Sequence, residues 1–330
     1  MEYLFSLFPV ILFLACLFLL DSFKLVSQKL LLLSLLWGII AAGLSYFANS
    51  WLTNILNLHY TTLIRYIAPV TEEVLKALLI FALIRIRLIG FVIDAAIYGF
   101  AIGAGFALTE NTFYIMQLGS DTELFVWIVR GFGTAIMHGG CTALFSIILI
   151  AGMQREKSVW TSSLAGMALA LFIHSGFNHF AINPFLQTLL IILVLPTFFV
   201  IIFNQSNSML QNWLEIEFSN EVEMLRMIRQ GQFKATRAGE YLASIKKHYS
   251  PEMIVDMYWY ISLYLELSIK AKRNIMLKES GFPVMPEVGI KEKLIELQQL
   301  RKQIGKVGEM SLRPLIRINH RDLWTMNQLK

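Results

Sequence analysis

The chain has 330 residues, 56% of them hydrophobic and 15% charged, with a mean hydropathy of +0.59 and a formal net charge of +5. Soluble domains carry ~25% charged residues, so this composition excludes an ordinary water-soluble globule. The two cysteines, Cys16 and Cys141, both lie in apolar stretches, which excludes a disulfide scaffold and a cysteine-based metal cluster.

Charge is unevenly distributed. Residues 1–205 hold 9 Lys/Arg and 9 Asp/Glu, whereas residues 206–330 hold 19 and 14. The predicted architecture is therefore all-α, a polytopic membrane helical bundle over 1–205 followed by a helical, water-facing domain over 206–330.

A helix crossing the hydrocarbon layer needs ~20 apolar residues. Such stretches lie near 3–20, 30–48, 62–84, 91–117, 126–151, 160–180 and 186–203, about seven spans, or six if the first pair is misread. The first and last are short, and the fourth is long enough to tilt or to end in a re-entrant turn. Met1 and Glu2 bring no basic n-region, so the first stretch reads as an anchor and not as a cleaved signal. Alternate loops carry the basic residues Lys24 and Lys29, Arg85 and Arg87, then Arg155 and Lys157, while loops 49–61, 118–125 and 181–185 carry none. The positive-inside rule then puts the N-terminus outside and residues 206–330 in the cytoplasm.

Ionisable residues inside apolar spans are costly and mark sites that do something. The third span opens with Ala68-Pro69-Val70-Thr71-Glu72-Glu73-Val74-Leu75-Lys76. Pro suits a helix start, and the dipole favours acids in the first turn. Glu72 and Lys76 are four apart and can pair, whereas Glu73 is turned ~100° away. The spacing predicts that one glutamate pairs with Lys76 while the other faces the site, with either assignment open.

In the fourth span Gly99, Gly103 and Gly105, with Ala101 and Ala104, form a small-residue face suited to close helix packing. Glu110 follows Asp94 by ~24 Å of helix, which carries it to the outer half of the bilayer beside Asn111. His138 lies mid-span in the fifth helix. In the sixth, His174 and Asn178 are four apart and share a face.

Glu72, Glu73, Glu110, His138 and His174 thus form the predicted site, supported by Lys76, Asn111 and Asn178. Carboxylates and imidazoles in an apolar cavity suit a general base that activates water. Zinc stays open as a cofactor, because glutamate and histidine from several spans can hold it. H-E-x-x-H does not occur, so no single helix supplies a chelate.

Residues 206–330 read as helices near 207–230, 234–249, 252–279 and 288–307, with a short one after Pro314. Ser250-Pro251-Glu252 is a helix-start signature, and Gly281 to Pro286 is a loop. There is no Gly-rich phosphate loop, Cys/His finger or repeat. The basic balance suits either the anionic inner leaflet or, as scattered Lys and Arg more often do, a solvated face, and no nucleic-acid partner is expected.

These motifs together resemble the PrsW family of intramembrane proteases, relatives of the CAAX endopeptidases. Glu72-Glu73-Val74-Leu75-Lys76 is similar to the family's E-E-x-x-K motif. Tyr98-Gly99 followed by Phe106 to Glu110-Asn111 is similar to its F-x-x-x-E-N motif. His138 matches a histidine of its next helix, and His174-Ser175-Gly176-Phe177-Asn178 resembles its H-G-S-Y-D motif.

The resemblance implies an endopeptidase cleaving single-span membrane proteins, anti-sigma factors among them, at the outer side of a bacterial inner membrane. It makes Glu72, Glu73 and His174 the first candidates for essential residues, with Glu110 and His138 next. Asn178 departs from the family's usual Asp, which implies a hydrogen-bonding or oxyanion role there, and residues 206–330 are not part of the family pattern. Without a compact ligand motif, glutamate-activated water is favoured over a metal. Two other classes share these features: a transporter or proton-relay protein, and a non-catalytic scaffold or sensor of the same fold. The first is disfavoured by the lack of an inverted repeat, the second by the complete motif set.

Overall fold

The computed structural model describes residues 1–118, 122–285, 287–316 and 320–329, the side chain of His320 excepted. Every regular element among them is helical. The chain divides into two compact units, Met1–Asn207 and Ser208–Lys330.

The first unit contains α1 (Glu2–Leu19), α2 (Gln28–Leu56), α3 (Ala68–Arg85), α4 (Val92–Leu118), α5 (Leu124–Gln154), α6 (Val159–Asn178) and the start of α7 (Pro184–Arg229). Six of these are long and apolar enough to cross a membrane. The exception is α3, whose 18 residues include Glu72, Glu73, Lys76 and Arg85. The fourth span runs as one helix to Leu118 and makes no re-entrant turn among the described residues.

Burial separates the helices into an interior and a lipid-facing set. Over their most apolar windows α4 and α5 are 83% buried, and the other four apolar helices are 28% buried or less. Leu32, Phe47, Leu164, Phe172 and Leu193 are exposed on the outer helices. A surface this apolar is unstable in water and suited to acyl chains, while each helix satisfies its own backbone internally.

The small-residue face of α4 explains why that helix is central. A Cβ at Gly103 would lie 2.2 Å from the His138 carbonyl oxygen, and one at Gly105 would lie 2.1 Å from that of Leu35. Gly103 therefore lets α4 reach the backbone of α5, and Gly105 lets it reach α2. With hydrocarbon on the outside, such close approach is what drives helix association.

Two π-helical turns interrupt this unit, Leu63–Ile67 ahead of α3 and Val129–Ala135 within α5. Such turns concentrate at functional sites, and both lie just before predicted site residues. The first turn has a cause in the sequence. Pro69 has no N–H to give to Arg65 in α-helical register or to Ile64 in π register, so neither carbonyl can be satisfied by it.

The second unit has its own core, built around Met257, Tyr260, Ile261, Tyr264 and Leu267 of α9 (Pro251–Glu279). Ser250 caps that helix by accepting from the Met253 N–H at 3.3 Å. The other helices are α8 (Arg237–Ile245), α10 (Ile290–Leu312) and α11 (His320–Asn327). Gly305, at φ 64°, kinks α10.

The segments expected as separate helices near 186–203 and 207–230 belong to one helix, α7. Asn204 to Ser208 are polar but include neither Gly nor Pro, so α7 continues for 46 residues. Inside the second unit Lys272 is fully buried, with Nζ 2.8 Å from Glu221 and 3.1 Å from Glu217.

Candidate active site

Four helices bring the predicted residues together. Glu72, Glu73 and Lys76 come from the first turns of α3, Glu110 from the last third of α4, His138 from α5 and His174 from the end of α6. Lys76 and Glu73 are essentially removed from solvent, at 0% and 2% exposure, while Glu72 keeps 13% and Glu110 27%. The open side of the cluster is therefore the one lined by Glu72 and Glu110.

The polar contacts form one chain. Lys76 Nζ donates to Glu73 Oε1 at 2.6 Å and to His138 Nδ1 at 3.2 Å. With Nδ1 accepting, His138 carries its proton on Nε2, which lies 3.0 Å from Glu110 Oε2. His174 Nδ1 lies 2.8 Å from Glu73 Oε1, and its Nε2 lies 3.7 Å from Glu72 Oε2. The two imidazole rings meet edge to face at 4.7 Å.

Both glutamates thus reach His174, one at each ring nitrogen, and Glu73 is the partner of Lys76. A turn of ~100° between neighbours on a helix separates them in direction, yet a ring seated between those directions meets both. Of the two assignments the spacing left open, Glu73 is the one that pairs with Lys76 and Glu72 is the one on the open side, while both contact His174.

The supporting residues take distinct places, and of the two roles expected of Asn178 the hydrogen-bonding one is observed. Asn178 points away from the cluster: its Nδ2 donates to the Ile64 carbonyl at 2.8 Å, and Ser175 Oγ donates to the Arg65 carbonyl at 2.6 Å. These are the two carbonyls that Pro69 cannot satisfy. The motif on α6 therefore works as a bracket, with His174 on Glu73 and its neighbours on the π turn that launches α3.

Asn111 sits behind Glu110, donating to the Ser6 carbonyl at 2.8 Å and accepting from Arg130 Nε at 3.0 Å. Arg130 pairs with Glu110 at 3.4 Å and is the site residue that the sequence reading missed. The signal was there, as a cation in an apolar span eight residues before His138.

The PrsW-protease family, described as PrsW family intramembrane metalloprotease, matches over residues 27–203, more than half of the chain. The chain belongs to this family. It is an integral membrane protein and an intramembrane protease of the PrsW type. No curated protein and no solved structure matches it.

The family's description implies a metal, and the residues offer it a donor set. One ligand atom each from Glu72, His138 and His174 lie within 4.8 Å of one another. Two imidazoles and a carboxylate, with a fourth position left to water, make a catalytic zinc set. Each imidazole also has a carboxylate on its other nitrogen, Glu73 on His174 and Glu110 on His138, as metal-bound histidines usually do.

The balance of charge agrees. Glu73 is matched by Lys76 and Glu110 by Arg130, and Glu72 alone has no cationic side chain within 4.0 Å among the described residues. The set fits a divalent cation on one condition, that Lys76 leaves His138 Nδ1 and turns wholly to Glu73.

Proposed function

We propose that this PrsW-type protease hydrolyses peptide bonds of single-span membrane proteins in the outer half of the bilayer, with Glu72, His138 and His174 around the reacting atoms. The observation that carries the reading is Glu72, an uncompensated carboxylate 3.7 Å from a buried imidazole nitrogen on the open side of the cluster. With α3 counted as a crossing beside the six apolar helices, the alternation of basic loops supports an outward N-terminus and hence an outer site, and a bacterial inner membrane suits the family resemblance. Substrates of the anti-sigma-factor type follow from that resemblance alone.

Glu72, His138 and His174 would hold zinc, which when bound supplies Lewis acidity and a water ionised near neutral pH. The chain's own residues prepare that set. Glu73 accepts the His174 Nδ1 proton, which leaves Nε2 unprotonated and turned toward Glu72. Lys76 balances Glu73 and would have to release His138 Nδ1 for the metal, and Glu110 fixes the His138 ring from behind. The apolar surroundings exclude bulk water and strengthen each of these contacts.

A second reading, glutamate-activated water without a metal, is favoured by one contact. Lys76 Nζ occupies the His138 Nδ1 lone pair at 3.2 Å. In that case Glu72 takes the proton of the attacking water and hands it through His174 Nε2 to the leaving amine.

The deciding experiment measures zinc content and cleavage of a single-span substrate by purified full-length protein, with Glu72→Gln, Glu73→Gln and His174→Ala alongside. The metal reading expects about one zinc per chain, lost in Glu72→Gln and His174→Ala, and activity abolished by chelator. Cleavage that survives chelator but not Glu72→Gln supports the metal-free route. Folded wild type that cleaves no substrate overturns the peptidase assignment.

A further inference from the structure

Arg130 is gripped more elaborately than charge balance with Glu110 requires. Its Nε donates to Asn111 Oδ1 at 3.0 Å, its guanidinium carbon lies 3.7 Å from the centre of the Tyr114 ring, and its Nη2 lies 3.4 Å from Glu110 Oε1. Glu110, Asn111 and Tyr114 occupy adjoining positions on the final turns of α4, so one helix supplies all three holds. A guanidinium fits this use because its planar fork can stack, donate and pair at once, which an ammonium cannot.

The clamp is itself anchored. Asn111 Nδ2 reaches the Ser6 carbonyl of α1 at 2.8 Å and the Arg130 carbonyl at 3.4 Å. A Cβ on Gly131 would fall 1.8 Å from the Phe5 carbonyl oxygen, so α1 lies directly against the π turn that carries Arg130. Yet α1 lies outside the family match at residues 27–203.

Glu110 is the most open member of the cluster, and a carboxylate with that freedom would swing toward water. Instead both of its oxygens are engaged, Oε1 by the Arg130 ion pair at 3.4 Å and Oε2 by His138 Nε2 at 3.0 Å.

We propose that Arg130 is a positioning residue of the protease site: held by Asn111 and Tyr114, it locks Glu110 so that the second carboxylate oxygen orients the His138 imidazole. α1 completes the clamp through the Ser6 carbonyl, so the geometry of the site depends on a helix beyond the motif-bearing segment. The proposal rests on reading His138 as part of the site.

The test uses full-length protein in detergent micelles with 15N-labelled histidine, the His138 signals being identified by their disappearance in His138→Asn. Wild type should show a slowly exchanging Nε2 proton on His138. Arg130→Met should lose it, and kcat should fall roughly 10- to 100-fold, as for other residues behind a ligand, with KM nearly unchanged.

Arg130→Lys should recover part of both signals. The double variant Arg130→Met/Glu110→Gln should be no slower than Glu110→Gln, since both changes break one unit. An Nε2 proton unchanged in Arg130→Met overturns the proposal. So do losses that multiply in the double variant, which would mean that Arg130 touches substrate itself. Wild type that does not cleave refutes the peptidase reading and leaves the His138 proton to decide this one.

Discussion

Replacing Lys76 by methionine removes one charge from the cluster while keeping most of the side chain's length. The ammonium it removes is fully buried, 2.6 Å from Glu73 Oε1 and 4.6 Å from the Phe106 ring centre. At an effective dielectric of ~20 the Coulomb attraction at that separation is about 6 kcal/mol, before desolvation is subtracted. Removing one partner of a buried pair costs about 3–5 kcal/mol, because the other charge is stranded.

Glu73 would retain the His174 N–H, so the lower end applies, about 3 kcal/mol or roughly a hundredfold in the folding equilibrium. Methionine keeps a sulfur–aromatic contact open to Phe106, so little of this loss comes from packing. Glu73→Gln/Lys76→Met, which neutralises both partners, should return to within about 1 kcal/mol of wild type. Reversible denaturant titration in mixed micelles of wild type, both single variants and the double variant supplies the full cycle. If the double variant loses the sum of the single losses, the pair is not coupled and the reasoning fails.

Three further outcomes follow from the packing. Gly103→Ala places a methyl 2.2 Å from the His138 carbonyl, so it should cost about 1–3 kcal/mol and lower kcat by displacing His138; normal thermal unfolding and turnover would contradict this. Asn178→Asp restores the family's more common residue but presents a carboxylate to the Ile64 carbonyl, where a donor is needed. It should lower stability by about 1–3 kcal/mol, and an unchanged melting temperature would show that the bond contributes nothing.

In the second unit, Lys272→Met strands Glu217 and Glu221 and should destabilise residues 208–330 by about 3–5 kcal/mol. Limited proteolysis should then cut there first, and equal resistance in variant and wild type would speak against it.

The helical class, six of the seven expected spans and the glutamates and histidines of the polar cluster are legible in the sequence, whereas α3 carries too much charge to read as a span and Arg130 went unread. Each legible feature follows from a local rule. Stretches of ~20 apolar residues must be helices in hydrocarbon, because only a helix satisfies its own backbone there, and an ionisable residue inside one is too costly to be incidental. The glycines of α4 could be read the same way, as a surface for close approach, though not that Gly103 faces α5 and Gly105 faces α2.

Who partners whom is visible only in the folded chain. A 3.6-residue period fixes directions around one helix but not where a ring from another helix will sit. Glu72 and Glu73 therefore converge on His174 despite diverging from α3. Asn178 shares a face with His174, yet it serves the carbonyls freed by Pro69, because the backbone's unmet acceptors lie in that direction. Arg130 belongs to the site through Asn111, Tyr114 and Glu110 on a different helix, a relation that no spacing within its own segment encodes.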